Sequence, residues 1–174
     1  SDAAIVGYQE GTGIAGAFFY RAVGALGIGD TVTVTFDNPT DIVMAQLISV
    51  EGAGSKTGTS VKHGTQTLGF PTTDPLSAST GYLLIGNFGW ARFNYDSDPV
   101  YVVNSGLTAL APLTAFQENG ALDVYYGLQV GWREIPSDAS YTYGLTATGT
   151  GRIITSWAGG GFIFSVAGSG SGGE

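Results

Sequence analysis

"ALDVYYGLQVGW", residues 121–132, alternates over its whole length: Leu122, Val124, Tyr126, Leu128, Val130 and Trp132 fall on one side, Asp123, Gly127 and Gln129 on the other. A period of two is the repeat of a β-strand, whose successive side chains point to opposite faces, and helical spacing does not reproduce it. The pattern predicts that Trp132 joins Leu128 and Val130 in the core. "TVTVTFD" (31–37) repeats the theme, with Val32, Val34 and Phe36 inward and Thr31, Thr33 and Thr35 outward. Branched Cβ atoms of this kind suit a pleated surface.

Working outward, "AGAFFYRAV", "DIVMAQLISV", "TGYLLIGNFGWARFNY", "PVYVVN", "SYTYGLTATG", "GRIITSWA" and "GFIFSVAG" are further strand candidates, separated by Gly, Pro, Asn, Asp and Ser clusters. No long segment has a 3.6-residue period, so the crossover helices of a parallel α/β fold are not expected. The expectation is an all-β fold with little or no helix: an antiparallel β-sandwich, immunoglobulin-like or jelly-roll. Residues 1–174 read as a single domain, with an N-terminal strand at about 1–10 and a C-terminal strand plus Gly/Ser tail at about 161–174 as inter-subunit segments.

The motif "GTGIAG" (11–16) spells G-x-G-x-x-G, and Asp37 stands near the distance of a ribose-binding acid. A dinucleotide site needs a helix directly after the glycines. Phe18, Phe19 and Tyr20 are consecutive aromatics suited to a strand, and Gly24 and Gly27 would each weaken a helix by about 1 kcal/mol. The motif therefore reads as a glycine-rich turn.

Composition narrows the function. Charged residues make up 11% of the 174, under half the usual share of about 25%, while 29 glycines are roughly double the average. Six basic against fourteen acidic residues leave a net charge of −8, which opposes phosphate backbones and anionic lipid, so no nucleic acid contact is expected. Cysteine is absent, which removes disulfides and thiolate chemistry. No apolar run reaches the roughly eighteen residues of a spanning helix, so no membrane span is expected. The low charge and the start at Ser1 rather than Met point to an extracellular or cell-surface location.

Chemistry-bearing residues are sparse. His63, the one histidine, lies in the polar stretch "SVKHGTQT", read as a solvent-facing loop, with no G-x-S-x-G elbow anywhere. In "NYDSDP", Asn94, Asp96 and Asp98 imitate the start of a calcium loop, which then fails at Pro99 and Ser105, where such a loop has Gly and a bidentate Glu. Ca²⁺ is accordingly the one cofactor the residues suggest. Trp90, Trp132 and Trp157 could stack on a sugar, although each lies within a strand candidate. No enzyme is expected.

A sheet that lacks one strand can be completed by an extended segment from the next molecule. Ala3, Ala4, Ile5, Val6 and Tyr8 form the first candidate donor strand, and Phe162, Phe164 and Val166 the second. The stretch "ALGIGDTVTVTFDNPTDIVMAQLISVEG", through Leu26, Gly29, Asp30, the strand 32–36, Asn38 and the strand 42–50, resembles secreted immunoglobulin-like fibre subunits of the camelysin/TasA type and related archaeal bundling pili, with Ile28 in place of their Pro. The resemblance implies a non-enzymatic extracellular fibre subunit. The leading expectation is thus a filament or pilus subunit, in adhesion or biofilm matrix, that polymerises with copies of itself by donor-strand complementation. A viral capsid or coat protein with a jelly-roll fold is the alternative, and a secreted carbohydrate- or calcium-binding module the second.

Overall fold

The computed structural model describes residues 4–8, 15–19, 29, 31, 33, 42–68, 72–93, 100–103, 106–117, 124–148 and 153–166. Among them the regular structure is all β, and every strand pair is antiparallel. No helix among the described residues is long and apolar enough to cross a membrane, which says nothing of a β-barrel.

The strands are β1 (Ala4–Tyr8), β2 (Ala15–Phe19), β3 (Ala53–Leu68), β4 (Leu76–Ala78), β5 (Leu83–Phe93) and β6 (Val100–Val103). They continue with β7 (Thr108–Ala109), β8 (Leu113–Gln117), β9 (Val124–Glu134), β10 (Ala139–Tyr141), β11 (Leu145–Thr148) and β12 (Ile153–Val166). One six-stranded sheet has the order β3-β12-β5-β9-β7, with β8 also paired to β9. Three two-stranded ribbons complete the described set: β1 with β2, β4 with β10, and β6 with β11.

From β3 onward the pairs β3·β12, β4·β10 and β5·β9 are nested in sequence, like a long two-stranded ribbon folded back on itself. Two additional pairs, β12·β5 and β11·β6, join strands that the ribbon alone would leave apart. Rolling the ribbon about its length produces those contacts. The bridge between Thr72 and Gly144 prolongs the β4·β10 ribbon towards β11.

On one face of the large sheet, Leu84, Phe88, Trp90, Trp157 and Ile163 are buried under Leu76 and Ala78 of the β4 ribbon and under Ile135, Tyr143 and Leu145. Thr73 clasps the cover in place: its N–H donates to the Tyr143 carbonyl at 2.8 Å, and the Tyr143 N–H donates to its hydroxyl at 2.9 Å. On the opposite face, Ile85, Val130, Phe162 and Phe164 form a second cluster with Ile48 and Leu110 against it. Each large apolar side chain fully buried in this way contributes about 1.5–3 kcal/mol.

Glycines in mid-strand make the first face work. Phe88 pairs with Gly159, Trp90 with Gly127, and Trp157 with Gly64. Each ring lies over the glycine opposite it, where a Cβ would meet ring atoms. Gly161, Gly86 and Gly131 form a row across β12, β5 and β9, and the Tyr143 ring lies over Gly86. Phe88 also stacks on Tyr143 and Trp157, with ring centroids 5.9 and 5.3 Å apart.

The structure revises several of the sequence expectations. "GRIITSWA" and "GFIFSVAG" are one strand, β12, which runs unbroken through Gly159, Gly160 and Gly161. "SVKHGTQT" is part of the sixteen-residue strand β3 rather than a loop, and exposed His63 pairs with Ala158. "SYTYGLTATG" divides into β10 and β11. The stretch 42–50 has no ladder partner among the described residues, although its side chains are alternately half-buried and exposed up to Ser49. After the glycines of "GTGIAG" comes strand β2, hydrogen-bonded to β1, where a dinucleotide fold would need a helix.

Candidate interaction surface

The sequence-predicted residues fall into three groups. Of the first donor candidate, Ala4, Ile5, Val6 and Tyr8 lie in β1, paired with Phe19, Phe18, Ala17 and Ala15 of the same chain. Ala3 lies outside the described residues, as do Asn94, Asp96 and Asp98. Of the second donor candidate, Phe162 and Phe164 are buried in β12, and Val166 ends that strand. β12 is flanked on one side by β3 and on the other by β5, so its ladder positions are filled by its own chain.

The tryptophans invert the expectation. Trp90 and Trp157 are 4% and 7% exposed, held between sheet and cover, whereas Trp132 is 38% exposed. Alternation places Trp132 on the face of Val130, as expected, but it sits near the end of β9, where the cover over that face gives out. A sugar-stacking reading is left with one of its three tryptophans at the surface.

The described interior offers little acid–base chemistry. Its titratable group is Tyr143, whose hydroxyl donates to the Gln129 carbonyl at 3.4 Å and whose phenol burial pushes well above the ordinary tyrosine range. No group of three or more His, Asp or Glu side chains able to hold a metal is present among the described residues. Charged contacts lie at the rim. Lys62 bridges to Asp74 at 2.5 Å with both side chains largely in solvent, and the Asp74 N–H donates to the Ser60 hydroxyl. Asp138 accepts hydrogen bonds from the Thr80 N–H at 2.7 Å and the Thr80 hydroxyl at 2.8 Å, which hold its carboxyl below the usual range. Arg133 stacks on the Tyr141 ring, 5.2 Å from its centroid.

The outer surface is more distinctive. Among the described residues the exposed large apolar side chains are Val43, Leu47, Val50, Phe116, Trp132 and Val166. Three of these belong to the extended stretch 42–50. Gln46 ties that stretch to the sheet edge by donating to the Ala111 carbonyl at 2.6 Å, and Ile48 enters the cluster of Ile85, Val130, Phe162 and Phe164. The chain then joins β3, whose Ala53 pairs with Val166. The stretch therefore crosses the open face of the sheet as a strap, from the β8 edge to the β3 edge. Trp132, which pairs with Ile85, and Val166, two residues beyond Phe164, lie on the same face on the strand-end side of the strap.

Sequence reading found the strap as a strand but missed its surface role. The signal was present: in "DIVMAQLISV" Val43, Ala45 and Leu47 are apolar as well as Ile42, Met44 and Ile48, so both faces of the extended chain are apolar. The same stretch carries part of the fibre-subunit resemblance, and the rest lies largely outside the described residues. No family model, curated protein or solved structure matches the chain.

Proposed function

We propose that the chain is a structural subunit that assembles with copies of itself, of the coat-protein kind, on a jelly-roll scaffold. The observation that carries the reading is the nested and rolled pairing of β3·β12, β4·β10 and β5·β9 with β12·β5 and β11·β6. In a jelly roll the first strand pairs with the last, the second with the next to last and the third with the sixth, and the roll sets the last strand beside the third. An immunoglobulin-like order does not do this. Jelly rolls serve as viral coat proteins, lectins and cupins, so the choice among these is an analogy at the level of fold. The packed aromatic interior argues against a cupin-like ligand chamber, and the burial of Trp90 and Trp157 argues against a tryptophan platform for sugars. What remains is an uncharged apolar surface on a chain that carries −8 overall.

Polymerisation into an extracellular filament is the second reading, favoured by one observation: the stretch 42–50 is extended yet unpaired among the described residues. Sedimentation and negative-stain microscopy of the purified chain test both. Closed particles support the coat reading and open fibres the filament; a monodisperse monomer at all concentrations rejects self-assembly altogether.

A further inference from the structure

We propose that the strap 42–50 is an assembly strand, and that its partner is the same strap of a second copy, laid antiparallel beside it over Trp132 and Val166. The inference deepens the self-assembly reading and rests on it.

Backbone bonding supplies the first argument. Among the described residues, no N–H or C=O from 42 to 50 takes part in a backbone–backbone hydrogen bond, although the chain is extended and alternates half-buried with exposed side chains through Ser49. An extended edge of this kind is a template for another strand, and proteins ordinarily blunt such edges with charge, proline or a bulge. The strap carries neither of the first two: "IVMAQLISV" contains no charged residue and no proline.

Surface chemistry supplies the second argument. Val43 and Leu47 are 50% and 66% exposed, so the outward row of the strap is apolar as well as the inward row. Trp132 and Val166 stand exposed on the same sheet face beside it. Of the six large apolar side chains exposed among the described residues, five therefore lie on the strap or on the strip next to it. A second extended strand in that strip would cover Trp132 and Val166 and complete the ladder of the strap at once.

Charge and symmetry select the occupant. Copies that each carry −8 repel, so they meet most readily where neither bears charge. A two-fold contact is self-complementary, the commonest arrangement for identical subunits. Antiparallel pairing centred on Gln46 sets Ala45 opposite Leu47 and Val43 opposite Ser49, so outward residues meet outward residues and Met44 meets Ile48 on the inner side. It also sets Asp41 opposite Glu51 at each end. Those like charges make the contact stronger as salt screens them.

The test is sedimentation velocity on the full chain over a range of concentrations at low and high salt, alongside Ala45→Lys, Leu47→Glu and an equimolar mixture of the two. Both positions are exposed, so circular dichroism and melting should match the parent. Each variant alone should associate at least tenfold more weakly. The mixture should recover association, because the ammonium introduced on one copy faces the carboxylate introduced on the other. The parent should associate more tightly at high salt, and hydrogen exchange should protect the 42–50 amides in the associated form alone. Association unchanged in both variants, or 42–50 amides left unprotected in the associated parent, overturns the strap assignment while leaving self-assembly standing. Weakening by salt, or a mixture no better than its components, overturns the register. A parent that stays monomeric throughout overturns the strap and the self-assembly reading together.

Discussion

Replacing Gly159 by alanine should destabilise the fold, whereas the same change at its neighbour Gly160 should not. A Cβ on Gly159 would stand 2.5 Å from Cε2 and Cζ of Phe88, well inside van der Waals contact. Phe88 is fully buried and stacked on both Tyr143 and Trp157, so the ring has nowhere to move without disturbing two further rings. Overpacking of this kind costs about 1–3 kcal/mol, which for a chain of this size lowers the melting temperature by roughly 2–12 °C. A Cβ on Gly160 points to the other face and meets nothing nearer than Asn87 Oδ1 at 3.4 Å and Phe162 Cε2 at 3.7 Å. There the reduced freedom of the unfolded chain should leave stability unchanged or raise it by up to about 1 kcal/mol. Urea unfolding followed by tryptophan fluorescence measures both. A double-mutant cycle sharpens the test: Phe88→Ala alone costs about 3–5 kcal/mol, and Gly159→Ala should add nothing in that background. Equal stability of the two glycine variants, or an undiminished cost of Gly159→Ala without the Phe88 ring, would refute the view that these glycines are seats for aromatic rings.

The titrations give two further expectations. Tyr143 has its folded-state pKa raised, so its contribution is fully present below the ordinary tyrosine value and is lost as pH rises above about 10, where the unfolded chain ionises first. Base titration by phenolate absorbance should show a tyrosine that ionises only on unfolding, and Tyr143→Phe should flatten the alkaline fall in stability. Asp138 has its folded-state pKa lowered by the Thr80 bonds, so its contribution is present above the ordinary aspartate value and fades as pH falls through the lower folded value. Asp138→Asn should remove that acid component of the stability curve while leaving the alkaline limb unchanged. Lys62→Ala, which breaks an exposed bridge to Asp74, should change stability by less than about 1 kcal/mol in the same urea assay, and less still at high salt.

The all-β class was legible because period-two alternation is a local property, and 121–132 shows it without interruption. β3 was hidden for a physical reason. An edge strand at the sheet margin, rich in Thr, Ser, Gly and Lys, has too few apolar residues to show an apolar row, so its sixteen residues look like a polar loop. The Gly159–Gly161 triplet misled in the opposite direction. Consecutive glycines ordinarily weaken a strand, and only the positions of Phe88 and Tyr143, distant in sequence, explain why side chains are absent there. Trp132 and Trp90 carry equally apolar local patterns. Which of them is buried depends on where a cover from another part of the chain ends, and nothing within ten residues of either tryptophan encodes that. The unpaired state of 42–50 is likewise non-local: the residues specify an extended chain, but a ladder needs a second strand, and the roll from β3 to β12 uses its strands on one another.

That last point bears on how the chain divides its work. Nesting makes the final described strand β12 central and closes the ladders of the roll among residues 53–166, so no strand of the roll needs the N-terminal residues for its pairing. The N-terminal part pairs differently: β1 and β2 bond to each other, and the strap bonds through Gln46 and packs through Ile48. Its inward side chains are tied to the fold by burial, while its backbone takes no ladder partner among the described residues. A segment fixed in place by one row of side chains, with its other apolar row facing outward, is pre-ordered for pairing, because the entropy of straightening the chain has already been lost in folding. The roll supplies rigidity from rings seated on glycines, and the strap laid across it supplies a strand whose ladder a second molecule can complete.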